Sequence, residues 1–232
     1  GQQEYDAYLL VNPDVELYGG ALHEMLQLQA REPRAALIGP ATELQRGKLS
    51  PNSFRYPCLI NAFSGGIQLG FIHRLFSRWD PREAPRATDH KADWISGGCM
   101  LIRSEVLKEI GVFDEEFFLY FEEVDLCLRA RTAGHECWYA HEAKIFHDAG
   151  AATGMRHETA RSKRMPEWWF QSRRHYLKKH HGSLYLLSCD LAFLFGRSTK
   201  RLIQFFTLSQ TEDPERFLSD FARHALLPNR SR

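Results

Sequence analysis

Hydrophobic positions follow two rhythms along this chain. Apolar runs at residues 7–11 (AYLLV) and 35–42 (AALIGPAT) read as buried strands, and 93–103 (DWISGGCMLIR) combines a small-residue kink with an apolar strand. Residues 20–31 predict a helix, with His23, Met25, Leu26 and Leu28 as its apolar stripe and Pro33 as its stop. SEVLKEIG (104–111) predicts a short helix capped by Ser104 and closed by Gly111. EVDLCLRARTAG (123–134) predicts another, ending at Gly134. ECWYA (136–140) and AKIFH (143–147) read as two short strands, and the greasy run at 117–121 as an apolar strand leading into acids. Residues 43–92, rich in Pro, Gly, Arg and Asn, predict long loops or a flexible insertion. Helical spacing dominates from 161 to 208, and DPERFLSDFARHAL (213–226) predicts a last helix with Asp213 as N-cap and Pro214 in its first turn. Strands alternating with helices give an α/β fold with a mixed sheet flanked by helices, carried by residues 1–155, and a helical C-terminal extension over 156–232.

Charge changes this picture in two places. The net charge of +1 argues against nucleic acid as a partner. Between residues 156 and 181, however, eight Lys or Arg and four His face only two acids. That patch is either a solvated helix face or a surface for phosphate or anionic lipid. The apolar stretch that follows it, 184–196, is too short to span a bilayer and contains Asp190, but could lie along a membrane surface. Trp168 and Trp169 read as packed core. Five cysteines without a C-x-x-C pair read as reduced, buried thiols of a cytoplasmic protein.

Three short stretches carry candidate chemistry. In LLVNPDVEL a strand ends at Asn12-Pro13-Asp14, which puts a carboxylate at the carboxyl edge of a sheet, where open α/β sheets bind ligands. Asn-Pro-Asp is also simply a good turn. YFEEVDLCLRA places Glu122, Glu123 and Asp125 at a helix start. Acids are common there because the helix dipole favours them. Asp125 is four residues from Arg129 and can pair with it, leaving Glu122 and Glu123 as candidates to take a proton from a hydroxyl. AKIFHDAG ends a strand on His147, which can join an aspartate from a distant strand around Mn or Mg.

In their order and spacing these stretches resemble the family 2 glycosyltransferases, particularly the rhamnosyltransferase-like branch that builds bacterial cell-surface polysaccharides. The likeness runs through LLVNPDVEL, the block from Asp93 to Gly150 and, more loosely, SRRHYLKKHHG, and so covers most of residues 5–182. It implies a GT-A fold, a nucleotide-diphosphate-sugar donor, a divalent metal (Mn or Mg), and inverting transfer, of rhamnose or another sugar, to a hydroxyl of a glycan or polyprenyl-diphosphate-linked acceptor. By the same resemblance Asp14 and His147 fall on metal and diphosphate positions, with Asn12 opening the motif. Glu123 falls on the catalytic base, Glu122 on the acid before it, and Trp94, Gly97 and Gly98 on the acceptor side. Arg173 and Arg174, with Lys178 and Lys179, are candidate phosphate contacts. The expected location is cytoplasmic, peripheral on the inner face of the plasma membrane.

The sequence departs from the family pattern twice. Glu123 stands where Asp is usual, one methylene longer. The first βα units, which hold the nucleotide, have no counterpart, so the chain is expected to lack an N-terminal nucleotide-binding segment. Two rival readings stay open at this level: a truncated, non-catalytic domain that binds glycan or a partner, and a metal-dependent phosphoesterase.

Overall fold

A computed structural model of the chain describes residues 5–148, 164–208 and 213–226. Its elements run β1 (Ala7–Val11), β2 (Val15–Leu17), α1 (Ala21–Arg31), β3 (Ala35–Gln45), β4 (Lys48–Ser50), β5 (Ser53–Phe54), α2 (Leu59–Ile67) and α3 (Gly70–Leu75). A single 3-10 turn (Ser77–Trp79), β6 (His90–Ala92), β7 (Trp94–Ile95), β8 (Cys99–Arg103), α4 (Ser104–Ile110) and α5 (Glu122–Thr132) follow. The chain then continues through β9 (Glu136–His147), α6 (Glu167–Thr207) and α7 (Phe217–Leu226). They group into two units. The first is Gly1–Tyr56, Arg82–Asp114 and Glu122–Arg156; the second is Pro57–Pro81, Glu115–Phe121 and His157–Arg232. The expected boundary between 155 and 156, like the start of the basic patch at 156–163, lies outside the described residues.

The first unit is built on β3, whose first nine residues are buried. A strand covered on both faces needs a continuous apolar run, which AALIGPAT supplies. The sheet order is β1-β8-β3-β9-β2, with β4 added to β3 and β6 to β9. β3 runs antiparallel to β8 and parallel to β9, so the sheet is mixed, as expected. Alternation along β8 divides the core: Cys99 and Leu101 pack towards α1, Met100 and Ile102 towards α4 and α5. Each such aliphatic burial contributes about 1.5–3 kcal/mol.

Several expectations need correction. On α1 the buried positions are Ala21, Met25, Leu28 and Gln29, while His23 and Leu26 face solvent. ECWYA and AKIFH form one strand, β9, whose register against β3 slips between Pro40 and Ala41. Pro40 cannot donate to a ladder, and the slip sits beside it. The helix at Ser104 is capped by the Arg103 backbone without a side-chain hydrogen bond. Residues 117–121 are not a strand; Tyr120 and Phe121 are both left-handed, at φ 65° and 69°.

The second unit is helical and includes about half of what the sequence reads as loop. α2 lies against α6 so closely that a Cβ on Gly66 would stand 2.5 Å from the Phe193 carbonyl oxygen, and one on Gly196 2.7 Å from Ile67 N. The residues that look like loop punctuation are therefore the contact surface of a helix pair. α6 is broken at Gly182 (φ 82°). Buried Asp190 is held by Arg173 and Arg174, and buried Arg197 by Asp213 at 3.1 Å. Asp213 thus serves an ion pair, and α7 begins at Phe217, later than the sequence predicts. Trp169 packs with Phe170, Phe217 and Phe221 in this unit's core.

Gly66→Ala should cost about 1–3 kcal/mol, because backbone must move to admit the methyl group. Gly65, which has open space at its Cβ, should tolerate alanine or gain about 0.5–1 kcal/mol from it. Thermal melts of the two variants check this, and equal midpoints would contradict the packing described.

Candidate active site

β1 ends beside the start of β8, where Val11 pairs with Cys99 and the Asn12 N–H donates to the Gly98 carbonyl at 2.9 Å. There the chain turns. The Val15 N–H donates back to the Asn12 carbonyl at 3.1 Å, closing a β-turn with proline at its second position, the place where fixed φ is preferred. Asp14 leaves this turn and enters β2, which pairs with the end of β9 so that Val15 faces His147. The Asp148 N–H donates to the Asp14 carbonyl at 3.1 Å, extending that pairing by one residue.

This register places Asp14 Oδ1 3.2 Å from His147 Nε2, with the two side chains 10% and 14% exposed. Asp14 Oδ1 is buried and makes no hydrogen bond among the described residues. A buried carboxylate oxygen beside an imidazole nitrogen is a two-donor fragment suited to a divalent cation. Among the described residues no group of three or more His, Cys, Asp and Glu could hold a metal. A cation at this pair would complete its coordination with ligand or solvent oxygens, as magnesium and manganese do at diphosphates.

The glycine pair links this corner to the acids. A Cβ on Gly98 would lie 2.7 Å from His147 Cε1 and 2.9 Å from Nδ1, so the ring rests directly on the Gly98 backbone. A Cβ on Gly97 would lie 3.6 Å from the Glu123 Cβ. Asp14, His147, Gly98, Gly97 and Glu123 are therefore consecutive neighbours within the first unit. Asn12 joins them through its backbone.

α5 is fixed behind this group by the partner that the sequence predicts for Asp125. Asp125 is fully buried and accepts from Arg129 Nε at 2.8 Å. The rest of that guanidinium donates to the carbonyls of Ile110, Gly111 and Val112, covering the open end of α4. Glu122 and Glu123 occupy the first turn of α5, each with a buried Oε2. For Glu122 burial outweighs the backbone hydrogen bond and raises the carboxyl above its ordinary value. Beside the glycines, the buried Cys99 thiol is pushed up to about 11 by desolvation, so it stays a neutral thiol.

The remaining candidates lie elsewhere. Trp94 stacks on Phe54 at 4.3 Å, and its Nε1–H donates to the Arg55 carbonyl, which ties it into the small β5–β7 ladder. Arg173 and Arg174 belong to the second unit, where both engage Asp190. Sequence reasoning missed the seating role of Gly98 and the backbone link through Asp148. Adjacent glycines before a buried strand were the available signal for the first; the second follows only from register.

The raised Glu122 carboxyl has a consequence for stability. A raised native value means that the stability linked to this group is full below the ordinary carboxylate range and is lost as pH rises through the raised value. Glu122→Gln should therefore melt higher than the parent at neutral pH, with the gap closing in mild acid. Melting curves that keep a constant separation across that range would contradict it.

The chain is similar in sequence to known rhamnosyltransferases. An N-acetylglucosaminyl-diphospho-decaprenol L-rhamnosyltransferase of Mycobacterium tuberculosis is 27% identical over 194 residues, which is 80% of this chain and 55% of that protein. The chain thus spans about half the length of the curated relatives it matches. Rhamnosyltransferase WbbL of Escherichia coli is 36% identical over 62 residues, 27% of this chain and 24% of that one. Among solved structures, GalNAc-T7 with UDP, GalNAc and Mn2+ aligns over 96% of this chain and 43% of its own, at 12% identity and a TM-score of 0.45. The family model described as glycosyltransferase like family 2 matches residues 8–178, well over half of the chain, and the chain belongs to that family.

Proposed function

We propose that this chain carries the diphosphate corner and the acceptor-activating acid of an inverting glycosyltransferase. The donor is a nucleoside-diphosphate sugar, with rhamnose the sugar suggested by the relatives' names. The acceptor is a hydroxyl of a glycan or of a polyprenyl-diphosphate-linked sugar, a class suggested by the mycobacterial relative. The observation that carries the reading is the continuity from Asp14 and His147 through Gly98 and Gly97 to Glu123.

In this reading Asp14 and His147 supply two donors for a divalent cation, Mn or Mg, and the backbone at Asn12 fixes the turn that presents them. When bound, such a cation offsets negative charge on a diphosphate leaving group. Glu123 accepts the proton of the acceptor hydroxyl. The hydroxyl oxygen forms its bond to the anomeric carbon while the bond from that carbon to the diphosphate oxygen breaks, and the electron pair departs with the nucleoside diphosphate. One displacement from the opposite face inverts the anomeric configuration. Glu122 stands before the base in the same turn, its carboxyl raised above the ordinary value by burial. Gly97 and Gly98 form the acceptor side in this reading, their bare backbone lying against Glu123 and His147, and Trp94 precedes the same segment in the chain.

Glu123→Gln should lower transfer by about 10²–10⁴-fold with donor binding retained. Near-parental transfer would remove Glu123 as the base. Asp14→Asn should abolish the manganese dependence of nucleoside-diphosphate binding in calorimetric titration, and an unchanged response would remove Asp14 from the corner. Release of nucleoside diphosphate only when an acceptor alcohol is present separates transfer from phosphoester hydrolysis.

A further inference from the structure

The second unit carries a surface that the proposed transfer chemistry does not use. Beyond the break at Gly182, α6 exposes Leu184, Leu187, Leu191, Phe195, Leu202 and Phe206, spaced by three, four or seven residues. Those intervals put the six on one side of a helix. Phe206 is 75% exposed, and Phe205 beside it equally so. The opposite side of α6 is occupied by Leu186, Cys189, Asp190, Gly196 and Arg197, all buried. An apolar stripe this long and open on a helix is not the usual state of a surface in water.

The stripe does not stand alone. Phe195 stacks on Phe63 of α2 at 6.3 Å, Phe63 meets Phe76 at 6.4 Å, and Phe76 meets Trp79 at 5.8 Å. This ladder joins α6 to α3, on which Phe71 and Leu75 are 72% and 69% exposed. Arg78 lies 3.7 Å over the Trp79 ring, an indole and cation together beside the apolar surface.

Charge indicates what covers this face. Residues 57–81 and 183–208 contain Arg74, Arg78, Lys200 and Arg201, the last paired with Asp213, as well as buried Arg197, and two acids, Asp80 and Asp190. Asp190 is 1% exposed and held by Arg173 and Arg174. A second copy of the chain would bring like charge against like. An anionic lipid surface brings the opposite charge and accepts the rings and leucines into its headgroup boundary. No described helix is long and apolar enough to cross a membrane, so contact would be in the plane of the surface.

We propose that the face formed by the second half of α6 and by α3 docks on anionic phospholipid. The inference is independent of the transfer reaction proposed above, since it rests on the second unit alone.

Flotation of the full 232-residue chain tests it, using phosphatidylcholine vesicles with and without phosphatidylglycerol. The chain should float with the anionic vesicles, remain behind with the neutral ones, and be released by high salt. Phe205→Ser combined with Phe206→Ser should lower partitioning by about tenfold or more. Arg74→Gln and Arg78→Gln should each lower it by about fivefold. All four positions are exposed, and unchanged melting points would show that the variants remain folded. Absence of flotation, equal flotation with neutral vesicles, or full flotation of the phenylalanine variant would overturn the proposal. So would a dimer in sedimentation that the same phenylalanine substitutions dissolve while the parent does not float, since the face would then be a self-contact.

Discussion

The candidate site depends on the contact between the imidazole of His147 and the bare backbone of Gly98. Two ladders converge there: β1 with β8, which places Gly98 opposite Asn12, and β2 with β9, which places His147 opposite Val15. Register in a sheet is an all-or-none property, since a slip of one residue turns every side chain to the other face. The long separation in sequence between Asp14 and His147 is thus bridged by pairings whose specificity comes from the apolar cores on both sides of β3 and β8. The side-chain approach of 3.2 Å is a consequence of that register.

The acids reach the same place by another route. α5 is held by buried Asp125 and Arg129, and Arg129 covers the last carbonyls of α4. A buried ion pair is seldom a large source of net stability, but breaking one is costly. Its effect here is to fix the direction of α5, whose first turn presents Glu122 and Glu123. The two residues before that turn adopt left-handed backbone, a conformation that costs roughly 1–2 kcal/mol for an L-residue. Phe121 is anchored by Trp169 and Tyr176. Ring packing thus holds Phe121 in a conformation that local preference opposes.

This division explains what could be read from the sequence. Asn12-Pro13-Asp14, the Gly97-Gly98 pair, the acids and His147 each sit at the end of a strand or the start of a helix, where turn chemistry and apolar periodicity leave clear marks. Asp125 and Arg129 are four residues apart, and helical spacing alone predicts their pairing. The aromatic run 117–121 was opaque because ring packing imposes a left-handed turn on residues that favour strands. The helix at Leu59–Ile67 was opaque because Gly65 and Gly66 count against a helix, although Gly66 is there to admit the α6 backbone. The unity of β9 was hidden by the slip beside Pro40, which mimics a break between two strands.

The central claim, that backbone at the glycine pair seats the imidazole beside the acids, is tested most directly by comparing transfer in Gly98→Ala and Gly97→Ala. A methyl group at 98 would meet the His147 ring at 2.7 Å, whereas one at 97 would make an ordinary contact with Glu123 at 3.6 Å. The account predicts that Gly98→Ala loses transfer while keeping its fold and that Gly97→Ala retains most of its activity. Full activity in Gly98→Ala would contradict it.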